Sequence, residues 1–427
     1  MNNEEAYDLT HLTKPCQSQV NIELRSAPNY TSVTRIFQSK YKGQSLLANK
    51  NITVDFNKPF LTGKEPNYIL QAAHSDQLSG NGQFTKKCHE FFKSRYKFKK
   101  VLLTSSCTDA LEMSAILCNI QPGDEVIVPS YSFVSCANAF VLRGAKIVFA
   151  DSETLTPNID ASLLESLITT RTKAILLIHY AGVACDMHKI MSLARKNGLM
   201  VIEDAAHAID SYCEDRPLGS IGDLATFSFH ETKNVTCGEG GLLVVNNKDL
   251  MDRADIIWEK GTNRVAFSKG EVNKYEWVDI GSSFLPSELS AAYLYAQLEV
   301  IDRIQKHRVE LWESYHESLQ DLAERGVVNL PSIPGRSTKN GHIFYLVCLD
   351  KNERDSLIRY LADCQVHATF HYLPLHLSPF YGPHHDGRPL PNSVRFSECL
   401  VRLPLHFQLT LIEIEYVCRQ IKGFFQL

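Results

Sequence analysis

Between Val101 and Asn246 the sequence sets seven short apolar runs, VLLT, EVIVPS, KIVFAD, AILLIHY, LMVIEDAA, ATFSFH and GLLVVN, with helical segments between them. Continuous apolar runs, rather than strict alternation, belong to strands buried on both faces. Strands joined through helices are crossover units and therefore run parallel. The pattern predicts an α/β fold for residues 54–300, with a mostly parallel central sheet covered on both sides. After Pro331 the texture changes to HIFYLVCLD, a helix from about Glu353, HATFHYLPLH and a helical tail from Leu411. Residues 301–427 are thus expected to form a smaller α+β domain. Residues 1–53 are polar and irregular and carry no recognisable chemistry, which reads as an extension either partly disordered or packed on the surface.

A chain of 427 residues, 44% hydrophobic, can bury a large core. Its net charge of -4 gives no electrostatic argument for nucleic acid or an anionic membrane. No apolar stretch reaches the eighteen residues of a bilayer span, and the first thirty residues hold no signal-peptide core. The twelve cysteines form no CxxC pair, and Cys118, Cys348 and Cys418 sit in apolar runs. They read as small hydrophobes rather than zinc ligands, with no metal expected. Reduced thiols and a cytoplasmic location follow from that reading.

The chemistry concentrates where the runs end. Lys233, in TFSFHETKN, follows one apolar run and precedes the glycine-rich return CGEGGLLVV. A lone lysine is ordinarily a solvated cation. One delivered into a cleft at a strand end is desolvated, and its amine becomes available for carbonyl chemistry. Asp204 closes MVIED, twenty-nine residues earlier. It reads equally as a helix N-cap or as a buried carboxylate awaiting an N–H partner such as a pyridinium. His207 returns towards the same place if the turn after Asp204 is helical; otherwise it is a core histidine. Ser106, Cys107, Thr108 and Asp109 open a predicted helix directly after VLLT, where backbone N–H groups and the helix dipole favour a phosphate. Ser228 offers a second hydroxyl. Phe133 is placed either to stack on an aromatic ring or to join the core. Lysine, carboxylate and phosphate cradle together are what pyridoxal 5′-phosphate requires of a protein.

Several stretches, SSCTDALEM, PGDEVIVPSYSFVSCANAFVLRGAKIVFAD, HYAGVACDM, VIEDAAHA, LGSIGDLATFSFHETKN, GEGG and EKGTNR, resemble the nucleotide-sugar aminotransferases of the DegT/StrS family. Within it, the chain is most similar to the dTDP-4-amino-4,6-dideoxygalactose transaminases of surface-polysaccharide synthesis. The resemblance runs from about Phe56 to the C-terminus. It implies a fold-type I pyridoxal-phosphate enzyme, a homodimer with its sites at the subunit interface, and the substrates L-glutamate and a dTDP-4-keto-6-deoxy sugar. By position it assigns Lys233 as the Schiff-base lysine, Asp204 to the ring nitrogen and His207 to the phenolic oxygen. Thr108, Asp109 and Ser228 fall on phosphate contacts, and Phe133 on the ring-stacking aromatic. Asn263 lies in the segment that crosses to the partner's phosphate site, while Tyr372 and His376, in HYLPLH, resemble a substrate-side strand. The chain departs from the family pattern in its extension, in Cys107 where many relatives have glycine, and in Pro286, expected in the first turn of a helix. Relatives that dehydrate sugars carry histidine in place of the lysine, so Lys233 favours transamination. The alternatives are a sibling activity (the gluco epimer, a 3-amino sugar, or a GDP- or UDP-linked 4-keto sugar) or a non-catalytic sugar-nucleotide binder.

Overall fold

The computed structural model describes residues 52–426, so the predicted extension lies outside the described residues except at its last two positions. The runs form strands β1 (Lys100–Thr104), β2 (Glu125–Pro129), β3 (Lys146–Ala150), β4 (Thr172–Ile178) and β5 (Met200–Asp204). A two-residue hairpin, β6 (Tyr212–Cys213) and β7 (Arg216–Pro217), then precedes β8 (Leu224–Ser228) and β9 (Gly241–Val245). Seven of these build one sheet in the order β1-β9-β8-β5-β4-β2-β3. Pairing is parallel from β8 to β3, and β9 alone runs against its neighbours. The reversal follows from the connection. Phe229–Gly240 folds back as a hairpin loop, with Phe229 N–H donating to Gly240 O at 2.8 Å and Cys237 N–H to Phe229 O at 2.9 Å. A helical crossover is what a parallel partner would have needed.

Both faces of the sheet are covered. Leu102, Val126, Val128, Ile202, Leu224 and Leu243 pack on one side with Ala110, Leu111 and Met113 of helix Cys107–Leu117. Their strand neighbours Val101, Leu103, Ala225 and Leu242 face the opposite side, against helices Gln83–Tyr96 and Glu288–Leu298. Helix Met187–Asn197 covers Ile127, Ile175, Leu177 and Val201 on that same side. Alternate residues along each strand therefore meet two apolar layers, the physical meaning of runs with no polar phase.

Local signals place the helix ends. Ser106 is the N-cap of Cys107–Leu117, its hydroxyl accepting from Asp109 N–H at 3.1 Å. Gly198, left-handed at φ 64°, ends Met187–Asn197. Pro286 precedes the Ser287 N-cap of Glu288–Leu298 rather than lying in its first turn. Towards the C-terminus, β10 (Phe344–Val347) and β11 (Leu400–Leu403) pair antiparallel. They share a core with helices Ile301–Glu324, Lys351–Asp363 and Leu411–Phe424. HATFHYLPLH forms no strand: Thr369 makes a single bridge to Arg402, and the chain continues irregularly. Pro374, lacking an N–H, is poorly suited to a ladder. No helix among the described residues is long and apolar enough to cross a membrane.

Candidate active site

Because β1, β4, β5 and β8 point the same way, their C-terminal ends bring Ser106–Asp109, His179–Ala181, Asp204–His207 and Ser228 to one sheet edge. Open α/β sheets bind their ligands at that edge.

Asp204 ends β5 and is 4% exposed. No helix follows it, so the N-cap reading fails. Its Oδ1 accepts instead from Ala206 N–H at 2.9 Å in a tight turn, and that turn delivers His207. Oδ2 accepts from the Cys136 thiol at 2.9 Å. Burial raises the carboxyl pKa above its ordinary value, outweighing these hydrogen bonds and the charge of Lys233. A carboxylate has about four lone-pair directions, and only these two donors meet it among the described residues.

Lys233 sits in the loop between β8 and β9. Burial is the main cause that lowers its amine pKa to about 8, and the cationic Arg402 adds to it; Cys107 and Asp204 act in the other direction. The loop is anchored one residue on. Asn234 Nδ2 donates to Gln305 Oε1 at 2.8 Å and to Asn340 O at 3.0 Å, and Asn234 Oδ1 lies 2.8 Å from His342 Nδ1. Asn340 Nδ2 also donates to His207 O at 2.8 Å, and the His342 ring lies 4.6 Å from that of His207. One segment of the C-terminal part thus fixes the lysine loop and the histidine together.

His207 is 5% exposed. Burial first, then the nearby cationic Lys233 and Arg402, hold its pKa well below the usual histidine value. The ring is therefore neutral. Its Nδ1 accepts, at 3.4 Å, from Ala181 N–H, which leaves the proton on Nε2. That nitrogen faces Tyr372 Oη at 3.4 Å. The Phe133 ring is 54% exposed and its centroid lies 6.1 Å from that of Tyr372, so Phe133 flanks the site rather than entering the core.

The predicted helix start forms directly after β1, with Ser106 as its cap. Thr108 Oγ1 lies 2.8 Å from Ser135 Oγ, and Ser228 sits across from Gly241 in the β8–β9 ladder. Gly241 approaches the Ser106–Cys107 peptide so closely that any Cβ would strike the Ser106 carbonyl. That glycine lets β9 close beneath the helix start. Asp109 uses its backbone N–H on the cap, and burial raises its carboxyl pKa.

Two predicted residues stand apart. Asn263 bonds to its own loop, Nδ2 donating to Lys274 O at 3.0 Å and Oδ1 accepting from Glu276 N–H at 2.8 Å. His376 is buried, with Nδ1 2.6 Å from Ser130 Oγ and its ring 5.1 Å from that of His385. There it fastens the loop after Tyr372 to the end of β2. Sequence reasoning missed Cys136, Asn340, His342 and Arg402. Their spacing carries no signal, because each acquires its role only through tertiary convergence.

The residues fit pyridoxal 5′-phosphate. A buried carboxylate with unspent acceptor capacity suits a ring N–H, a lowered-pKa amine suits a carbonyl, and a helix start closed by Gly241 suits a phosphate. Comparison with known proteins agrees. A family model described as "DegT/DnrJ/EryC1/StrS aminotransferase family" matches residues 60–422. The chain is 30% identical to the GDP-perosamine synthase of Escherichia coli O157:H7, covering 86% of this chain and 97% of that one. It is also 30% identical to the spore coat polysaccharide biosynthesis protein SpsC of Bacillus subtilis (88% and 98%). Among solved structures, the aminotransferase TlmJ from Streptoalloteichus hindustanus superposes with a TM-score of 0.81 at 30% identity, covering 88% and 99%.

Proposed function

Because the chain belongs to the DegT/DnrJ/EryC1/StrS aminotransferase family, we propose that it transfers the amino group of L-glutamate to C4 of dTDP-4-keto-6-deoxyglucose. The product is dTDP-4-amino-4,6-dideoxygalactose, a surface-polysaccharide precursor. The coarser activity is that of a pyridoxal-phosphate-dependent nucleotide-sugar aminotransferase. The observation that carries the reading is Lys233, its amine pKa lowered to about 8 at the sheet edge that also holds the buried Asp204. The dTDP-linked substrate is supported by the motif run from SSCTDALEM to EKGTNR. The relative named GDP-perosamine synthase favours a second reading, a GDP-linked 4-keto sugar.

When bound, the cofactor supplies an electron sink and carries the amino group between donor and acceptor. Lys233, Asp204 and His207 would hold it, with Thr108, Asp109 and Ser228 at its phosphate. A pKa near 8 leaves roughly a tenth of the Lys233 amine unprotonated at pH 7. Lys233 Nζ then takes the proton from the donor's α-carbon and later delivers one to C4 of the sugar. Asp204 keeps a negative charge for the ring nitrogen, and His207 offers a neutral Nε2–H for the phenolic oxygen.

The homodimer is part of the same proposal. Tyr275, Trp277, Val278 and Ile280, beside the Asn263 loop, are 53%, 81%, 50% and 42% exposed. An apolar edge of that kind suits a second copy, and Asn263 would then serve the partner's phosphate site. Tyr372 is assigned to the sugar side, where its hydroxyl already reaches His207, and His376 to support of that loop.

The test is product structure by NMR, after incubation with pyridoxal phosphate, L-glutamate and either dTDP-4-keto-6-deoxyglucose or a GDP-linked 4-keto sugar. An axial 4-amino group on the dTDP sugar is expected, with none from Lys233→Ala. An equatorial amine moves the chain to the gluco sibling, and turnover of the GDP sugar alone establishes the second reading. Near wild-type turnover by Lys233→Ala removes the lysine from the mechanism.

A further inference from the structure

His342 and His207 pack ring against ring and carry opposite tautomers. The amide of Asn234, the residue after Lys233, fixes the tautomer of His342. Asn234 Nδ2 donates to Asn340 O at 3.0 Å and to Gln305 Oε1 at 2.8 Å, while Gln305 Nε2 donates to Ile209 O at 3.1 Å. Backbone carbonyls only accept, so both amides are held in one orientation. Asn234 Oδ1 is then an acceptor, and His342 Nδ1, 2.8 Å away, carries the proton. That leaves His342 Nε2 bare, with no partner among the described residues, in a residue that is 4% exposed. His207 is the reverse: its Nδ1 accepts from Ala181 N–H, and Nε2 keeps the proton. The two ring centroids are 4.6 Å apart, with the planes 39° from parallel.

Both rings are neutral. Burial first, then His207, Lys233, Arg308 and Arg402, hold the His342 pKa well below the usual histidine value. The backbone at 342 is pinned as firmly as the ring. Arg308 donates from Nη2 to His342 O at 3.1 Å and from Nε to Gly341 O at 3.0 Å. Gly341, left-handed at φ 62°, lies so close to helix Ile301–Glu324 that a Cβ would strike Arg308 O. Held from the C-terminal part, the imidazole meets two neighbours through two different surfaces. Its N–H edge meets Asn234, and its face meets His207. We propose that His342 is a positioning residue of the reaction: its Nδ1–H sets the Lys233 loop, and its face sets the plane of His207. No step requires it to gain or lose a proton. The inference rests on the transaminase reading above, in which Lys233 moves the proton and His207 meets the phenolic oxygen of the cofactor.

Two substitutions in the holoenzyme separate the two surfaces. His342→Phe keeps the ring face and loses the N–H, whereas His342→Asn keeps a donor near the place of Nδ1 and loses the ring. In the donor half-reaction, His342→Phe should lower kcat by roughly 5- to 20-fold, with KM for L-glutamate within about threefold. Its isotope effect with α-deuterated glutamate should rise, because proton transfer by a displaced Lys233 becomes the slow step. His342→Asn should keep kcat within about threefold of wild type. It should instead shift the pH at which the absorbance of the bound cofactor changes, by roughly 0.5–1 unit, the worth of one ring contact. His342→Phe should leave that spectral titration in place. Asn234→Ala breaks the same bond, so adding His342→Phe to it should cost less than about twofold more. Effects that multiply, an isotope effect unchanged in His342→Phe, or the same spectral shift in both variants overturns the assignment. Should the variants not fold, neutron diffraction from the wild-type enzyme places the ring protons directly. A proton on His342 Nδ1 and on His207 Nε2 is expected, and the same tautomer on both rings overturns the proposal. If the wild-type holoenzyme accepts no amino acid, the transaminase reading falls and takes this role with it. Normal turnover and a normal spectral titration in both variants remove His342 alone.

Discussion

Glu203 and Asp204 are successive residues of β5, both buried at the same depth, and they face opposite sides of the sheet. Glu203 is saturated. Its oxygens accept from His179 Nε2 at 2.9 Å and from the N–H groups of Gly219, Ile221 and Gly222 at 2.8, 2.7 and 2.5 Å. Burial alone pushes its pKa up, but these donors together outweigh burial and leave it below the ordinary value. Asp204 has one thiol and one N–H, and burial wins. Glu203 is a carboxylate whose surroundings were completed by folding. Asp204 is one that folding leaves with two donors among the described residues, which is the room the proposed cofactor needs. The two carboxylates differ in how many of their acceptor sites the protein itself fills.

The comparison breaks most sharply at Asp204→Asn. Removing a charge aimed at the reacting group should lower kcat/KM by roughly 10²–10³-fold, while the thermal unfolding midpoint of the cofactor-free protein at neutral pH stays level or rises. The sign follows from linkage. With its folded pKa raised, Asp204 holds more protons folded than unfolded as pH climbs through and above 3.8. Its ionisation therefore subtracts stability in that window, and the asparagine removes the penalty. A variant that loses activity together with stability would show Asp204 to be a structural carboxylate like its neighbour.

Glu203→Gln should do the converse. The amide turns an N–H₂ towards donors on one side, leaving Gly219 and His179 or Ile221 and Gly222 unmet, at a cost of about 3 kcal/mol. The sign of its linkage is opposite too. A folded pKa below 4.5 gives stability that is full above that value and lost as pH falls through the folded pKa. Urea titration at pH 7 and at pH 4 measures both, with the gap between wild type and variant narrowing at the lower pH. Activity per folded molecule should remain within a few-fold. A large loss of turnover in folded Glu203→Gln would tie the two faces of β5 together and erase the distinction.

What the sequence made legible follows the same division. Lys233, Asp204, Ser228 and the Ser106–Asp109 turn could be found because each ends an apolar run, and strand ends are visible in one dimension. Even so, the turn after Asp204 has the alanines of a helix start and is not one: the Asp204 carboxylate takes Ala206 N–H and tightens the chain into a turn instead. HYLPLH looked strand-like by its aromatic and apolar residues, and it failed because Pro374 interrupts it and the bridge to a partner strand stops at Thr369, before the segment begins. The four donors around Glu203 come from His179 and from 219–222, in segments separated in sequence and united only by the parallel crossover. Nothing in MVIED distinguishes the saturated carboxylate from the open one. Arg402 is hidden for the same reason: an arginine in LVRLPL reads as a surface residue until β11 is laid beside 369–372.

The finest test lies at Cys136, the one side chain among the described residues that donates to the open carboxylate. Burial, followed by the charge of Asp204, keeps its thiol pKa well above the ordinary range, so the group stays a neutral S–H donor at any working pH. Cys136→Ala leaves Asp204 with the Ala206 N–H alone and should raise its pKa further. Because the ionised form is the active one, the acid limb of the kcat/KM profile should move to higher pH, with a loss of about 3- to 10-fold at neutral pH, the worth of one modest hydrogen bond. Cys136→Ser restores an O–H donor of similar reach and should return the limb towards wild type. Loss of packing alone would lower stability in both variants without moving the limb. A shift that serine reverses therefore means that Cys136 acts through the charge on Asp204, by supplying a fraction of what Glu203 receives from four donors.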